Sequence, residues 1–240
     1  MTLLSTRLAP LAILLICLMG SYASAEMTLD ADTLLKKMKM AYANINNYST
    51  RVEVRTVKND SSAETEKFLY TFKNPNLIRL DFESPHKGMI LVYPDKNGKV
   101  AVRPAGLAHF LKLHVAPDSR LVKGASGQRM DQTDFGLLIR NIAHSLTDQR
   151  RGPAEITEEN GYVRIRVLAA DHFREDVVTL YRFFIDKKLW LPAKVEEFTP
   201  DGHPERSITF EDLRTNIGVL DSFFQLNEAT SESHEGSNEK

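Results

Sequence analysis

The chain has 240 residues, 42% of them apolar, and its 31 Lys and Arg against 32 Asp and Glu give a formal charge of −1. That balance argues against a nucleic-acid binder, which needs a basic excess to neutralise phosphates, and 12 Gly with 10 Pro set aside collagen-like and low-complexity classes. A single cysteine, Cys17, excludes an internal disulfide or a cysteine-rich metal cluster.

Arg7 precedes an uncharged, almost wholly apolar run of twelve residues, Leu8 to Met19; Gly20-Ser21-Tyr22 breaks it and Ala23-Ser24-Ala25 follows. A positive start, a short greasy middle and a small-residue exit predict a signal peptide over residues 1–25, cleaved after Ala25. An uncleaved anchor fits less well, because twelve residues make only about 18 Å of helix against a hydrocarbon core of roughly 30 Å. A lipidated Cys17 would be preceded by a small residue, and Ile16 stands there. Cleavage removes the only cysteine, so the exported body must be held by burial and backbone pairing.

Asp30 to Ile45 carries Leu34, Leu35, Met38, Ala41, Tyr42 and Ile45 in one stripe, with Asp30 or Asp32 as cap, and predicts an amphipathic helix. A period of two then takes over. Val52 and Val54 alternate with Arg51, Glu53 and Arg55; Phe68, Tyr70 and Phe72 share one face; Ile78, Leu80 and Phe82 alternate with Arg79, Asp81 and Glu83. Further strands are predicted over Met89–Tyr93 and Lys99–Arg103, with a turn at Asn97-Gly98. Strands with one dry and one wet face are typical of antiparallel sheets.

From Arg103 to Arg129 five basic residues (Arg103, Lys112, Arg120, Lys123, Arg129) meet one acidic residue, Asp118, with Leu107, Phe110, Leu111, Leu113, Val115, Leu121 and Val122 threaded between them. Such a connection suits contact with an anionic amphiphile; it equally describes a surface loop whose charges are solvated. Asp131 to Leu146 predicts a second helix, with Asp131, Thr133 and Asp134 at its start and Phe135, Leu138, Ile139, Ile142 and Leu146 at helical spacing. Laying this stripe on a sheet and closing a ligand cavity would use the same face.

Val163, Ile165 and Val167 alternate with Arg164 and Arg166, and strands follow at Val177–Ile185, Leu191–Phe198 and Arg206–Leu213, with turns at Asn160-Gly161 and Pro200-Asp201-Gly202. The total is nine or ten strands at hairpin spacing, the pattern of a sandwich, barrel or curved sheet. Asn227 to Lys240, with four Glu and only Ala229 apolar, predicts a disordered acidic tail. The remaining body, residues 26–226, is a single domain with 29 basic residues (31 without Arg7 and Lys240) against 28 acidic (32 without the tail's four).

The sequence offers no catalytic residues, metal ligands or cofactor site to name. It has no His-Glu-x-x-His, no Gly-x-Ser-x-Gly and no phosphate loop; Gly124-Ala125-Ser126-Gly127 lacks the Lys-Ser/Thr of a nucleotide loop. Glu196 and Glu197 are adjacent on a strand and point to opposite faces, so they cannot cooperate as acid and base.

The helix at Asp30–Ile45 followed by Phe72-Lys73-Asn74-Pro75-Asn76-Leu77-Ile78-Arg79-Leu80 and Ser84-Pro85 resembles the periplasmic LolA/LolB lipoprotein carriers. Phe184-Ile185-Asp186, Leu191-Pro192-Ala193-Lys194-Val195-Glu196, Ile208 to Asn216 and Asp221-Ser222-Phe223-Phe224 are similar to the family's late hairpin, closing strand and Phe-containing turn. Two features depart from the carriers. Asn74 stands where they have an Arg associated with control of a helical lid, and Ala105 to Met130 is more similar to a related group of uncharacterised exported proteins. The resemblance implies a mainly β fold: a strongly curved antiparallel sheet, an unclosed half-barrel, with capping helices over an apolar concavity for acyl chains.

Two functions are compatible with this reading. One is a non-enzymatic periplasmic carrier, monomeric and without cofactor, for a lipid or acylated lipoprotein, with a place in outer-membrane lipoprotein sorting. Its cavity would be walled by Phe68, Tyr70, Phe72, Ile78, Leu80, Phe82, Phe135, Leu138, Ile139 and Ile142, with Arg103, Lys112, Arg120 and Lys123 at the head group. The other is an envelope stress or assembly factor that recognises a protein partner through the same curved sheet.

Overall fold

The computed structural model of the chain describes residues 29–58, 62–124, 127–148 and 152–226. The expected signal peptide and acidic tail lie outside the described residues. Helix α1 spans Ala31–Ala43, and its cap is Asp30, whose carboxylate accepts the Thr33 N–H at 2.7 Å. Six strands follow: β1 (Asn47–Val57), β2 (Ala63–Lys73), β3 (Leu77–Ser84), β4 (Ile90–Tyr93), β5 (Val100–Arg103) and β6 (Leu113–Val115). Helix α2 (Phe135–Thr147) leads into β7 (Glu155–Glu159), β8 (Tyr162–Ala170), β9 (Val178–Asp186), β10 (Pro192–Phe198) and β11 (Pro204–Thr215).

All eleven strands form one sheet in the order β6-β5-β4-β3-β2-β1-β11-β10-β9-β8-β7, with every pairing antiparallel. The sheet is not closed; it is the unclosed half-barrel expected. Each half is a meander of neighbouring strands, and the first and last strands meet in the middle. At this seam the β1–β11 register shifts between Ser49 and Arg51, and Thr50 donates its hydroxyl to the Glu211 carbonyl at 2.8 Å. A bulge there bends the strand and re-aims its side chains.

The turns use the expected chemistry. Asn160 and Gly161 both take positive φ, 45° and 84°, in a two-residue hairpin. The Asn97-Gly98 turn is one residue longer than a tight hairpin: Asp95 pairs with Lys99 around three residues, and Gly98 takes φ 70°. Two of the eleven strands are not among those located from the sequence. The β6 strand is a three-residue piece inside the basic connection, and β7 has one apolar residue, Ile156, so neither shows a readable alternation. Helix α2 starts four residues later than expected, capped by Asp134, because Asp131 is taken by the Arg129 guanidinium at 2.7 Å.

One face of the sheet, here called the inner face, carries Val52, Tyr70, Leu80, Val163, Ile165, Phe183 and Ile185 and packs with Leu34, Met38, Phe135, Ile139 and Ile142 of the helices into the main core. Helix α2 lies against β8 and β10, and α1 packs on α2. On the outer face Ile90, Val92 and Ala101 are covered by Phe224 and Leu226, a second, small core. Asn216 fixes this crossing: its side chain accepts the Asn46 N–H at 2.8 Å and donates to the Asn44 carbonyl at 3.0 Å. Further along, Arg79 donates to the Phe223 carbonyl at 2.9 Å while its guanidinium lies 4.4 Å over the Phe223 ring.

Candidate ligand cavity

The helices leave part of the inner face uncovered. There the sheet side chains form transverse rungs, because antiparallel neighbours stand directly opposite one another. Phe82, Phe68, Val52 and Phe210 make one rung across β3, β2, β1 and β11, and Leu91, Leu80 and Tyr70 make the next. Val54 and Ile208 flank the first on its other side. Over these rungs runs the connection between β6 and α2, contributing Arg120 to Gly124, Gln128, Met130 and Thr133. The space between floor and strap is a cavity of about 480 Å³, within the roughly 300–1,000 Å³ typical of small-molecule sites.

Aromatic contacts set its shape. Phe68 and Phe82 lie 5.2 Å apart, and Phe135 is held between Tyr48 at 4.8 Å and Phe210 at 5.0 Å. Tyr48 also accepts the Phe135 backbone N–H at 3.1 Å, so the fully buried tyrosine ties the start of α2 to the sheet. Tyr70 shares a 3.0 Å hydrogen bond with Thr133, whose hydroxyl donates to the Met130 carbonyl, and this ties the strap down. Burial raises the pKa of both phenols, so they serve as neutral hydrogen-bonding groups. At one end Arg206 makes a buried bidentate pair with Glu197, 2.6 and 3.0 Å. Glu196, on the opposite face, is bound to Lys194 at 2.6 Å instead, as the alternation requires.

Of the sequence-derived wall residues, Phe68, Tyr70, Leu80, Phe82 and Phe135 line the cavity, with Arg120 and Lys123 at the strap. Phe72 and Ile78 stand one rung beyond, buried behind the Tyr48 ring, which lies 5.2 Å from Phe72. Ile139 and Ile142 are buried further along α2, which runs away from the cavity towards β8 and β10. Leu138 lines a separate narrow crevice with Phe183 and Val195. Arg103, at the end of β5, and exposed Lys112 lie outside the cavity lining. Sequence reasoning missed Tyr48, Val52 and Val54 from β1, and Arg206, Ile208 and Phe210 from β11. All but Tyr48, which precedes the alternation read at Arg51–Arg55, fall on strands expected from the sequence; what placed them at the site was the pairing of the first strand with the last.

A second polar cluster lies near the end of α2, where Ser145 Oγ is 2.8 Å from His172 Nε2. The hydroxyl stands where the helix presents carbonyls rather than the N–H donors that stabilise an oxyanion, and burial pushes the His172 pKa down to about 4, a weak base. The pair is a tie between α2 and the sheet.

No model of a known protein family matches the sequence, and no curated protein matches it. Among solved structures the chain is similar to an uncharacterised conserved protein from Thermus thermophilus (9% identity, 83% of this chain and 95% of that one, TM-score 0.49). It is also similar to a LolA superfamily protein from Nitrosomonas europaea (10% identity, 82% and 97%, TM-score 0.39). A third likeness is to the Pseudomonas aeruginosa MucA/MucB complex, with 14% identity, 81% of this chain and 60% of that one, and a TM-score of 0.43. These are likenesses in the course of the backbone and carry no ligand with them.

Proposed function

We propose that this chain is an exported, non-enzymatic binding protein of the periplasm that holds the acyl chain of a lipid or acylated lipoprotein between the sheet and the strap. The observation that carries this reading is the cavity of about 480 Å³ floored by Phe68, Phe82, Val52, Leu80 and Ile208. A wall of this kind offers an acyl chain the removal of apolar surface from water. Arg120 and Lys123 border the same space and supply cations for an acidic head group.

The test is mass spectrometry of an organic extract of the protein purified from its native envelope, with titration of a fluorescent fatty acid. Co-purifying lipid and saturable uptake are expected. No lipid together with no uptake would overturn the reading. Recovery of one recurrent protein by crosslinking in the envelope, without lipid, would favour recognition of a protein partner instead.

A further inference from the structure

We infer that the segment from Gly106 to Lys123 docks on an anionic bilayer surface, its exposed Leu107, Phe110 and Leu121 entering the interface and its cations meeting the head groups. These side chains are 94%, 70% and 67% exposed, on a chain that elsewhere builds two cores. The backbone holds them out. After β5, Gly106 takes φ 65° and opens a short 3-10 turn, Gly106–Ala108, continued by the Leu111 N–H to the Ala108 carbonyl at 2.9 Å. The resulting knuckle carries Leu107 and Phe110. A second turn, in which Val122 and Lys123 both donate to the Ser119 carbonyl at 3.0 Å, sends Val122 into the core and leaves Arg120 and Leu121 outside.

Charge selects the occupant. Residues 103–129 carry five basic groups and one acidic, in a chain whose total is −1. Arg129 is bound to Asp131, but Lys112, Arg120 and Lys123 are exposed and make no ion pair with any carboxylate among the described residues. Apolar side chains interleaved with free cations match a lipid interface, where hydrocarbon and anionic head groups lie within several ångströms of each other. The segment is also continuous with the cavity, because Arg120, Leu121 and Lys123 line both. The docking does not depend on what the cavity holds; its use in loading an acyl chain rests on the function proposed above.

Protein purified from the envelope, sedimented with vesicles, tests this. Vesicles of mixed phosphatidylglycerol and phosphatidylcholine should bind it, and vesicles of phosphatidylcholine alone should bind it more weakly. The double variant Leu107→Ser/Phe110→Ser, and separately Lys112→Glu/Lys123→Glu, should lose about tenfold or more in affinity for the anionic vesicles. All these side chains are exposed, so the thermal midpoint should hold; Leu121→Ser alone serves if a double variant fails to fold. Equal binding to both vesicle types, or variants that bind as the parent does, would overturn the inference. So would a photoreactive phenylalanine analogue at Phe110 that crosslinks in cells to one recurrent protein or to a second copy instead of lipid. Fatty-acid uptake from solution is read independently and should be unchanged in Leu107→Ser/Phe110→Ser. Vesicle binding with neither fatty-acid uptake nor co-purifying lipid would sustain the docking and overturn the acyl-binding function.

Discussion

His172 lies flat on Tyr181, ring centroids 4.3 Å apart and 9° from parallel, and accepts or donates one 2.8 Å hydrogen bond with Ser145. Burial dominates its titration and lowers the pKa to about 4; Asp171 pulls the other way, and His144 and Arg206 add to the lowering. In the unfolded chain the imidazole titrates near its ordinary value of about 6.5. Between those two values the unfolded state binds a proton that the folded state refuses, so stability is complete above about pH 6.5 and falls as the pH drops towards 4. The full loss is about 3 kcal/mol. Urea unfolding followed at pH 7.5, 6, 5 and 4.5 should show this decline, and His172→Phe should flatten it across the same window. An unchanged slope in the variant would assign the acid sensitivity elsewhere. Asp171 acts only lower: burial would raise its carboxyl, but Arg174, Thr179 and two backbone N–H groups hold it at about 2.

The start of α2 is where helix, strap and sheet converge, and a single glycine makes the fit. A Cβ built on Gly136 would stand 2.6 Å from the Asp134 carboxylate and 2.7 Å from the Tyr42 ring. That carboxylate caps the helix through the Leu137 N–H at 3.1 Å and accepts the Tyr42 hydroxyl at 2.9 Å. Alanine is the better helix former by about 1 kcal/mol, yet Gly136→Ala must displace the cap and the α1–α2 hydrogen bond together. We expect a net loss of about 1 kcal/mol in urea unfolding; a gain would show that the helices adjust freely. Sequence patterns located this helix, since Phe135, Ile139 and Ile142 repeat at helical spacing, but could not rank Asp131, Thr133 and Asp134 as caps. Only the position of Tyr42 from α1 and of Arg129 decides among them. The same holds for Phe72: alternation put it on the inner face, and only the Tyr48 ring determines that it packs as core rather than lining the cavity.

At the scale of the whole molecule, the two meanders were readable as hairpins, each joined by local turn chemistry, whereas the β1–β11 seam joins segments from opposite ends of the chain and leaves no local signature. That seam creates the site, because Val52 and Val54 acquire Phe210 and Ile208 as cross-strand neighbours only when it forms. It also leaves the inner face wider than two helices cover, and the uncovered part is the cavity. An unfilled apolar space forgoes packing contacts and so costs stability; a protein without a use for it could fill it by substitution. Val54 is a half-buried residue on β1 that lines the cavity. We therefore expect Val54→Phe to raise the unfolding free energy by about 1 kcal/mol through added burial. The same variant should weaken fluorescent fatty-acid uptake about tenfold, because the ring occupies the volume the ligand needs. Opposite movement of stability and uptake is the signature of a cavity kept open for an occupant. Stability and uptake both falling would mark Val54 as a packing residue of the seam, and unchanged uptake would place the ligand elsewhere.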